Sequence, residues 1–196
     1  VYGLLKDGVP VHFRDAEGRD SFAKAQVIDW IDPSNNDFLM VQQLWIQGQM
    51  DRRRADLVGF VNGIPLLFGE LKAPFKELEN AYRYNLSDYK ESIPHIFHTT
   101  GFIVLSNGSE AVLGNLTAPF RHFGPWKKVA DEREEGAISL ERLVRGTCAP
   151  VRFLDIVENY TLYHEGSDGL EKITAKNHQY LGVENVIERL DDPEER

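Results

Sequence analysis

The chain places three charged residues at the ends of two otherwise apolar segments, namely Asp56, Glu70 and Lys72. The two segments, Ala55 to Val61 and Pro65 to Lys72, have the character of strands buried on both faces. Asn62-Gly63, which separates them, is typical of hairpin turns because both residues adopt positive φ at low cost. Because an unpaired charge is costly to bury, these three residues require either a partner or a chemical role.

The alternation of side chains along a strand limits how these charges can meet. Glu70 and Lys72 are two residues apart and therefore share one face. A strict two-residue turn would pair Asp56 with Gly69 and leave Glu70 on the opposite face. A three-residue connection or one bulge would instead place Asp56 directly across from Glu70, and we expect such an irregularity.

Two neighbouring carboxylates with an ammonium beside them are suited to a divalent cation, because like charges at short range repel. Two carboxylates, a backbone carbonyl and waters suit Mg²⁺, a hard ion that retains much of its hydration. Such an ion activates water and screens charge on a phosphoryl oxygen, and a lysine can orient that water. The same spacing also fits a structural Asp–Lys or Glu–Lys pair at a strand end.

The segment from Arg52 to Lys72 resembles the PD-(D/E)xK nuclease motif, most closely in the form found in restriction (R) subunits of type I restriction–modification enzymes. The resemblance covers most of residues 2 to 190. It is carried by several short segments: Arg53 to Val58, Phe60 to Leu66, Gly69 to Lys72, Gly8 to Val11, Asn35 to Leu39, Ala81-Tyr82, Tyr89-Lys90, Ile93-Pro94 and Leu105 to Gly108.

The resemblance implies a Mg²⁺-dependent endonuclease that hydrolyses phosphodiester bonds of double-stranded DNA. Asp56 and Glu70 would bind the metal with the Leu71 carbonyl, and Lys72 would assist the attacking water. The sequence departs from the pattern at Ala55, where the motif has proline. The family also places an acidic residue on a helix ahead of this segment, which we expect to precede residue 1.

The resemblance implies partners as well. In this family a motor domain of the same subunit translocates DNA with ATP, so ATP would serve only the full-length subunit. Separate methyltransferase and specificity subunits complete the enzyme. The sequence predicts an endonuclease domain over residues 1–165, followed by a linker (Gly166 to Gly169) and the start of a truncated helicase-like motor over 166–196. Gln179 resembles the adenine-reading glutamine of such motors; an exposed helical amide is the alternative.

A helix is predicted from Phe75 to Ser92, because apolar residues recur at helical spacing. Asn85 and Tyr89 are four residues apart and therefore neighbours on one face of it. They resemble a Gln-x-x-x-Tyr element of this nuclease subfamily, with asparagine in place of glutamine, which implies support of the catalytic centre or contact with DNA. The alternative is a helix that packs an aromatic residue on the sheet.

Charge argues against a free-standing DNA-binding protein. The formal net charge is −9, the wrong sign for holding DNA through a broad basic face. Residues 165–196 carry −5 of it, from nine acidic and four basic residues, so the remainder carries −4. Arg52, Arg53 and Arg54 concentrate positive charge at the proposed site, where we expect them to bind DNA or support the site. We expect other domains or subunits to hold the DNA.

Composition fits one globular domain with an appendage, since 42% of the 196 residues are hydrophobic. The single cysteine, Cys148, excludes a disulfide scaffold and fits a reducing cytoplasm. No apolar run reaches about 18 residues, so no membrane span is expected. The six histidines lack zinc-ligand spacing, and there is no serine-nucleophile elbow or phosphate-binding loop.

Further elements follow from the apolar patterns and turn residues. Strands are predicted over Ala23 to Ile31 and over Phe38 to Ile46, the second pairing with the hairpin. A second hairpin (Gly101 to Leu105 with Ala111 to Leu116) and helices over Ser139 to Arg145 and Val151 to Asn159 complete the pattern. Asp29, Asp32 and Asp37 are either extra metal ligands or residues that cap turns.

Together these patterns predict an α/β fold with a PD-(D/E)xK restriction-endonuclease-like core, in which a mixed central sheet is flanked by helices. Two other functions fit parts of the sequence. One is a repair or recombination exonuclease with the same core. The other is a module without catalysis that docks the motor or holds DNA, its carboxylates being ordinary ion pairs.

Overall fold

The computed structural model describes residues 2–166 and 169–191. The strands are β1 (Val9–Arg14), β2 (Asp20–Ala25), β3 (Phe38–Gln47), β4 (Arg52–Val61), β5 (Ile64–Leu71), β6 (Phe102–Ser106), β7 (Ala111–Gly114), β8 (Thr161–Gly166) and β9 (Gly169–Thr174). The α-helices are α1 (Tyr2–Asp7), α2 (Leu78–Asn80), α3 (Ser87–Ser92), α4 (Leu140–Thr147), α5 (Pro150–Glu158) and α6 (Asn177–Asp191). Short 3₁₀ turns lie at Pro33–Asn35, Pro94–Phe97 and Phe120–His122.

A five-stranded mixed sheet with the order β3-β4-β5-β6-β7 forms the centre of the fold. Strands β5 and β6 are parallel and every other neighbouring pair is antiparallel. Strands β1 and β2 form one separate hairpin, and β8 and β9 form another. The predicted α/β class with a mixed central sheet flanked by helices, consistent with a PD-(D/E)xK nuclease-like fold, is confirmed.

Apolar cores cover both faces of this sheet, and β6 shows how they are separated. Phe102 and Val104 point into one core, with α4, α5 and α6. Ile103 and Leu105 point into the other, with the helical segment 78–92. Because Phe68 of β5 lies in this second core, Glu70, two residues later on the same strand, faces the helical segment as well.

The hairpin β4–β5 contains the irregularity that the sequence led us to expect. Asn62 (φ 50°) and Gly63 (φ 78°) form a two-residue turn in which both residues have positive φ. The register then shifts between Gly59 and Phe60, so that Leu57 pairs with Gly69. This bulge, rather than a longer turn, brings the two predicted carboxylates onto one face.

The helical segment after β5 differs from the expected regular helix. It begins at Leu78 rather than at Phe75, and residues Ala81–Leu86 are π-helical. A wide turn of this kind inside a helix is uncommon and is often found at functional sites. Residue Asn85 lies within it, and Tyr89 follows in α3.

The predicted strand over Ala23 to Ile31 was wrong from Gln26 onward, since β2 ends at Ala25. Side chains replace strand pairing there. Asp29 accepts hydrogen bonds from the backbone N–H groups of Ile31 and Asp32, and Asp32 accepts from that of Ser34. Asp29 and Asp32 therefore have the capping role rather than that of metal ligands.

The sequence from Leu170 to Leu190 has apolar residues at helical spacing and predicts a helix, but this is wrong at its start: β9 occupies Gly169–Thr174 and α6 begins at Asn177. Gly166 and Gly169 pair at the end of the β8–β9 hairpin, and residues 167–168 between them lie outside the described part. Tyr180 and Leu181 of α6 are buried in the first core. The division of the chain after residue 165 stays a prediction.

Within the described ranges no helix is both long and apolar enough to span a membrane.

Lys172 on β9 is buried and should make folding pH-dependent. Its ammonium donates to the Thr100 carbonyl and lies 5.3 Å from the centre of the Tyr163 ring. Burial lowers the pKa of Lys172 from 10.5 to about 8, so the charged form is disfavoured in the folded state. This destabilisation is complete below pH 8 and disappears as the pH rises towards 10.5.

We therefore expect the free energy of unfolding, relative to that of Lys172→Met, to rise by about 3 kcal/mol between pH 8 and pH 10.5. Urea denaturation of both proteins at several pH values measures the difference. Lys176→Met serves as the control, because Lys176 is exposed. If the difference in free energy of unfolding between the wild type and Lys172→Met stays constant with pH, the expected effect of burying the Lys172 charge is wrong.

Candidate active site

The bulge in the β4–β5 hairpin brings Asp56 opposite Glu70. The pair Leu57–Gly69 sets the register, and one further step along both strands aligns the two carboxylates. The backbone N–H of Leu71 donates to Asp56 Oδ2 over 2.9 Å, which joins the ends of the two strands. The structure therefore brings the predicted acidic residues together at the carboxyl end of β5.

Glu70 is the buried charge of the site, with 2% of its surface exposed. Its Oε1 accepts a hydrogen bond from Lys72 Nζ at 2.6 Å, whereas its Oε2 is buried without a partner. Burial raises the pKa of Glu70 and the Asp56 charge adds to the effect, while Lys72 and the neighbouring Tyr89 hydroxyl oppose it. A buried carboxylate oxygen without a partner is costly, so this position favours a bound cation.

Tyr89 extends the site on the helical side. Its ring packs edge-on against Phe68, with centroids 5.3 Å apart, and its hydroxyl donates to the Arg54 carbonyl over 3.3 Å. Burial raises the pKa of Tyr89, and the neighbouring Glu70 charge raises it further. The tyrosine therefore remains a neutral hydroxyl next to Glu70, in agreement with a supporting position. Asn85 lies one turn earlier and is half-buried. Its role in supporting the catalytic centre or contacting DNA stays a prediction.

Gln43 is a residue of the site that the sequence did not indicate. It lies on β3 opposite Asp56, and its Nε2 donates to Asp56 Oδ1 over 2.9 Å. The sequence shows two adjacent amides, Gln42 and Gln43, in a largely apolar strand, and nothing in it distinguishes one from the other. Its partner could not be found without the register of β3 against β4.

The three predicted arginines separate into two groups. Arg53 forms a two-point ion pair with Asp88 of α3, with N–O distances of 2.6 and 2.9 Å, which ties β4 to the helical segment. Arg52 and Arg54 instead lie over the exposed ring of Trp45, at 4.6 and 5.6 Å from its centre. Arg52 and Arg54 lie on β4, the strand that carries Asp56, and Trp45 lies on the neighbouring β3, so the two guanidinium groups and the exposed indole form a surface across both strands.

Gln179 is far along the chain, at the start of α6. Its side-chain oxygen accepts the backbone N–H of Lys176 over 2.8 Å, and the residue is exposed. This contact caps the helix, so the structure gives Gln179 a local role. The predicted part in nucleotide binding stays a prediction.

The donors of the site fit a hard divalent cation. In residues 2–166 and 169–191 no three His, Cys, Asp or Glu side chains cluster as a complete metal site. Asp56 and Glu70 supply two carboxylates, and Glu70 Oε2 is an orphaned buried acceptor. Two carboxylates with water in the remaining positions suit Mg²⁺, which is rarely enclosed by protein ligands alone.

Known proteins resemble this chain along most of its length. Residues 1–122 match the family model of the type I restriction enzyme R protein N terminus. The chain is 34% identical to the type I restriction enzyme HindI endonuclease subunit of Haemophilus influenzae, over 95% of this chain and 18% of that protein. It is 25% identical to the putative type I restriction enzyme MjaIXP endonuclease subunit of Methanocaldococcus jannaschii, over 96% of this chain and 20% of that protein.

The chain thus spans about a fifth of the length of the curated relatives that it matches. The family match covers β3, the hairpin β4–β5, the helical segment 78–92, β6 and β7, and so includes Gln43, Asp56, Glu70, Lys72 and Tyr89 but not Gln179. The chain belongs to the family of type I restriction enzyme R protein N-terminal regions.

Proposed function

We propose that this chain is the Mg²⁺-dependent endonuclease module of a type I restriction enzyme and hydrolyses phosphodiester bonds of double-stranded DNA. The observation that carries the proposal is the buried Glu70, which has one oxygen on Lys72, one oxygen without a partner, and Asp56 on the facing strand. The names of the relatives, all endonuclease subunits of type I restriction enzymes, support it.

In this proposal Asp56 and Glu70 hold the metal together with the Leu71 carbonyl. Two hydrogen bonds to the Asp56 oxygens, from Gln43 and the Leu71 N–H, fix that carboxylate at the strand end. When bound, the cation would offset the repulsion of the carboxylates, activate water and screen charge on the phosphoryl group. The burial of Glu70 makes its carboxylate a strong ligand, because water competes poorly for it.

Lys72 supplies the positive group of the site. Its ammonium is anchored by Glu70 Oε1, while the side chain remains 23% exposed towards solvent. An ammonium has three donors, so Lys72 can keep its bond to Glu70 and still donate to a water or to a phosphate oxygen. We assign to it the orientation of the attacking water and the stabilisation of the developing phosphoryl charge.

DNA would be held mainly by other parts of the enzyme. The net charge of −9 opposes binding, and Arg52 and Arg54 beside Trp45 are a small positive surface. We propose that a motor domain of the same subunit, which would use ATP, and methyltransferase and specificity subunits bring DNA to this site in the cytoplasm. An ordinary Glu70–Lys72 ion pair in a docking module is the competing function, since that contact is short.

A calorimetric titration of the chain with Mn²⁺ distinguishes the nuclease from the docking module. We expect binding at the site, and a loss of affinity of at least about 100-fold in Asp56→Asn. Asp7→Asn is the matched control, because Asp7 is exposed at the end of α1 and is not among the residues of the proposed site. No binding at millimolar Mn²⁺, or equal binding by both variants, would favour the docking module.

A further inference from the structure

Gln43 has a backbone conformation that its place in the fold does not explain. It lies within β3, between Gln42, which pairs with Leu57, and Leu44, which pairs with Ala55. Its φ of 54° is in the left-handed region, which costs energy for residues with a Cβ. Among the described residues, Asn62 is the only other non-glycine residue with a positive φ, and its position in a tight turn explains this conformation.

The side chain supplies the missing reason. In the register of β3 against β4, Gln43 stands opposite Asp56, and its Nε2 donates to Asp56 Oδ1 over 2.9 Å. The Leu71 N–H donates to Oδ2 over the same distance. Each oxygen of Asp56 thus accepts one hydrogen bond, from a donor on each neighbouring strand, and the two bonds together limit rotation of the carboxylate.

Strained residues persist where the surrounding structure holds them, and they are concentrated at functional sites. The strain at Gln43 coincides with a gap in the pairing of β3 with β4, between Gln42 and Leu44 and beside the proposed metal ligand. A glutamine in ordinary strand geometry would keep its place in the ladder, so the left-handed turn of the backbone is tied to the contact with Asp56.

We propose that Gln43 is a positioning residue, which holds the Asp56 carboxylate in the orientation that binds a divalent cation. The inference rests on the proposed function, because it assigns Gln43 a role only if Asp56 binds metal. It names a residue that acts through Asp56 and does not itself contact the cation.

The substitution Gln43→Gly separates this role from a structural one. Glycine adopts φ of 54° without strain, so the variant loses the amide but keeps the backbone conformation. We expect its melting temperature to stay within about 3 °C of the wild type or to rise. The affinity for Mn²⁺, measured by calorimetry on the same chain, should fall about 10- to 100-fold.

Two further variants serve as comparisons. Gln43→Asn tolerates the left-handed conformation, but its amide is one methylene shorter, so it should bind Mn²⁺ as weakly as Gln43→Gly. Gln42→Gly, at the neighbouring position in ordinary strand geometry, should lower the melting temperature and leave Mn²⁺ affinity unchanged.

The outcomes distinguish the inference from the proposed function. If Asp56→Asn weakens Mn²⁺ binding while Gln43→Gly binds like the wild type, the positioning role is wrong and the metal site stands. A Gln43→Gly variant that loses melting temperature as Gln42→Gly does would also overturn it, because the residue would then be structural. If Asp56→Asn itself binds Mn²⁺ normally, the proposed function fails.

Discussion

Replacing Lys72 by alanine is expected to lower DNA cleavage at least about 10³-fold in the assembled restriction enzyme that contains this chain, with ATP hydrolysis retained. Lys72 is the positively charged side chain of the proposed centre, and its Nζ lies 2.6 Å from Glu70 Oε1. Its loss removes the group that orients water and stabilises phosphoryl charge. It leaves the strand pairing of β4 and β5 intact, because Lys72 lies just past the end of β5.

Cleavage and ATP hydrolysis have to be measured separately on the same preparation. Asp56→Ala should lose cleavage in the same way, because it removes a proposed metal ligand. Lys76→Ala is the matched control, since this nearby lysine lies over the exposed Phe75 ring and away from Glu70. Loss of both activities in Lys72→Ala would instead mean that the residue supports folding or the motor.

The sequence was most informative where a single rule of local geometry applied. Asn62-Gly63 predicted the turn. The requirement that two carboxylates share a face predicted either a three-residue connection or one bulge, and the structure has the bulge, between Gly59 and Phe60. The capping serine of α4 was recognisable too, because Ser139 Oγ accepts the Arg142 N–H as expected for a helix start. In each case the reason lay within one hairpin or one helix end.

Features that depend on distant segments could not be predicted. Gln43 reaches Asp56 across thirteen positions of sequence, and only the pairing of β3 with β4 makes them neighbours. Leu170 to Thr174 contain apolar residues that fit a helix by spacing, but Ile173 pairs with Leu162 of β8. The π-helical segment Ala81–Leu86 has no local signal in the sequence either, and its residues Ala81 and Leu86 are buried in the second core.

The second large effect is expected for Glu70→Gln, which should make the metal-free protein more stable at neutral pH. Burial raises the pKa of Glu70 above 4.5, so the folded state favours the neutral carboxyl group. A raised folded-state pKa contributes stability that is complete below pH 4.5 and is lost as the pH rises through the folded-state value. Glutamine keeps the shape of the neutral form at every pH and avoids this loss.

Divalent metal should then reverse the order of stability of the two proteins. Binding to the folded wild type at 100 times the dissociation constant adds about 2.7 kcal/mol, whereas Glu70→Gln lacks the charged ligand and gains little. Urea denaturation at pH 7 with EDTA and with Mg²⁺ measures both differences, and Glu110→Gln serves as a control outside the site. Equal stabilisation of wild type and Glu70→Gln by Mg²⁺ would contradict a metal at Glu70. A metal-free wild type that is more stable than Glu70→Gln would show that the Lys72 pair outweighs the burial of the charge.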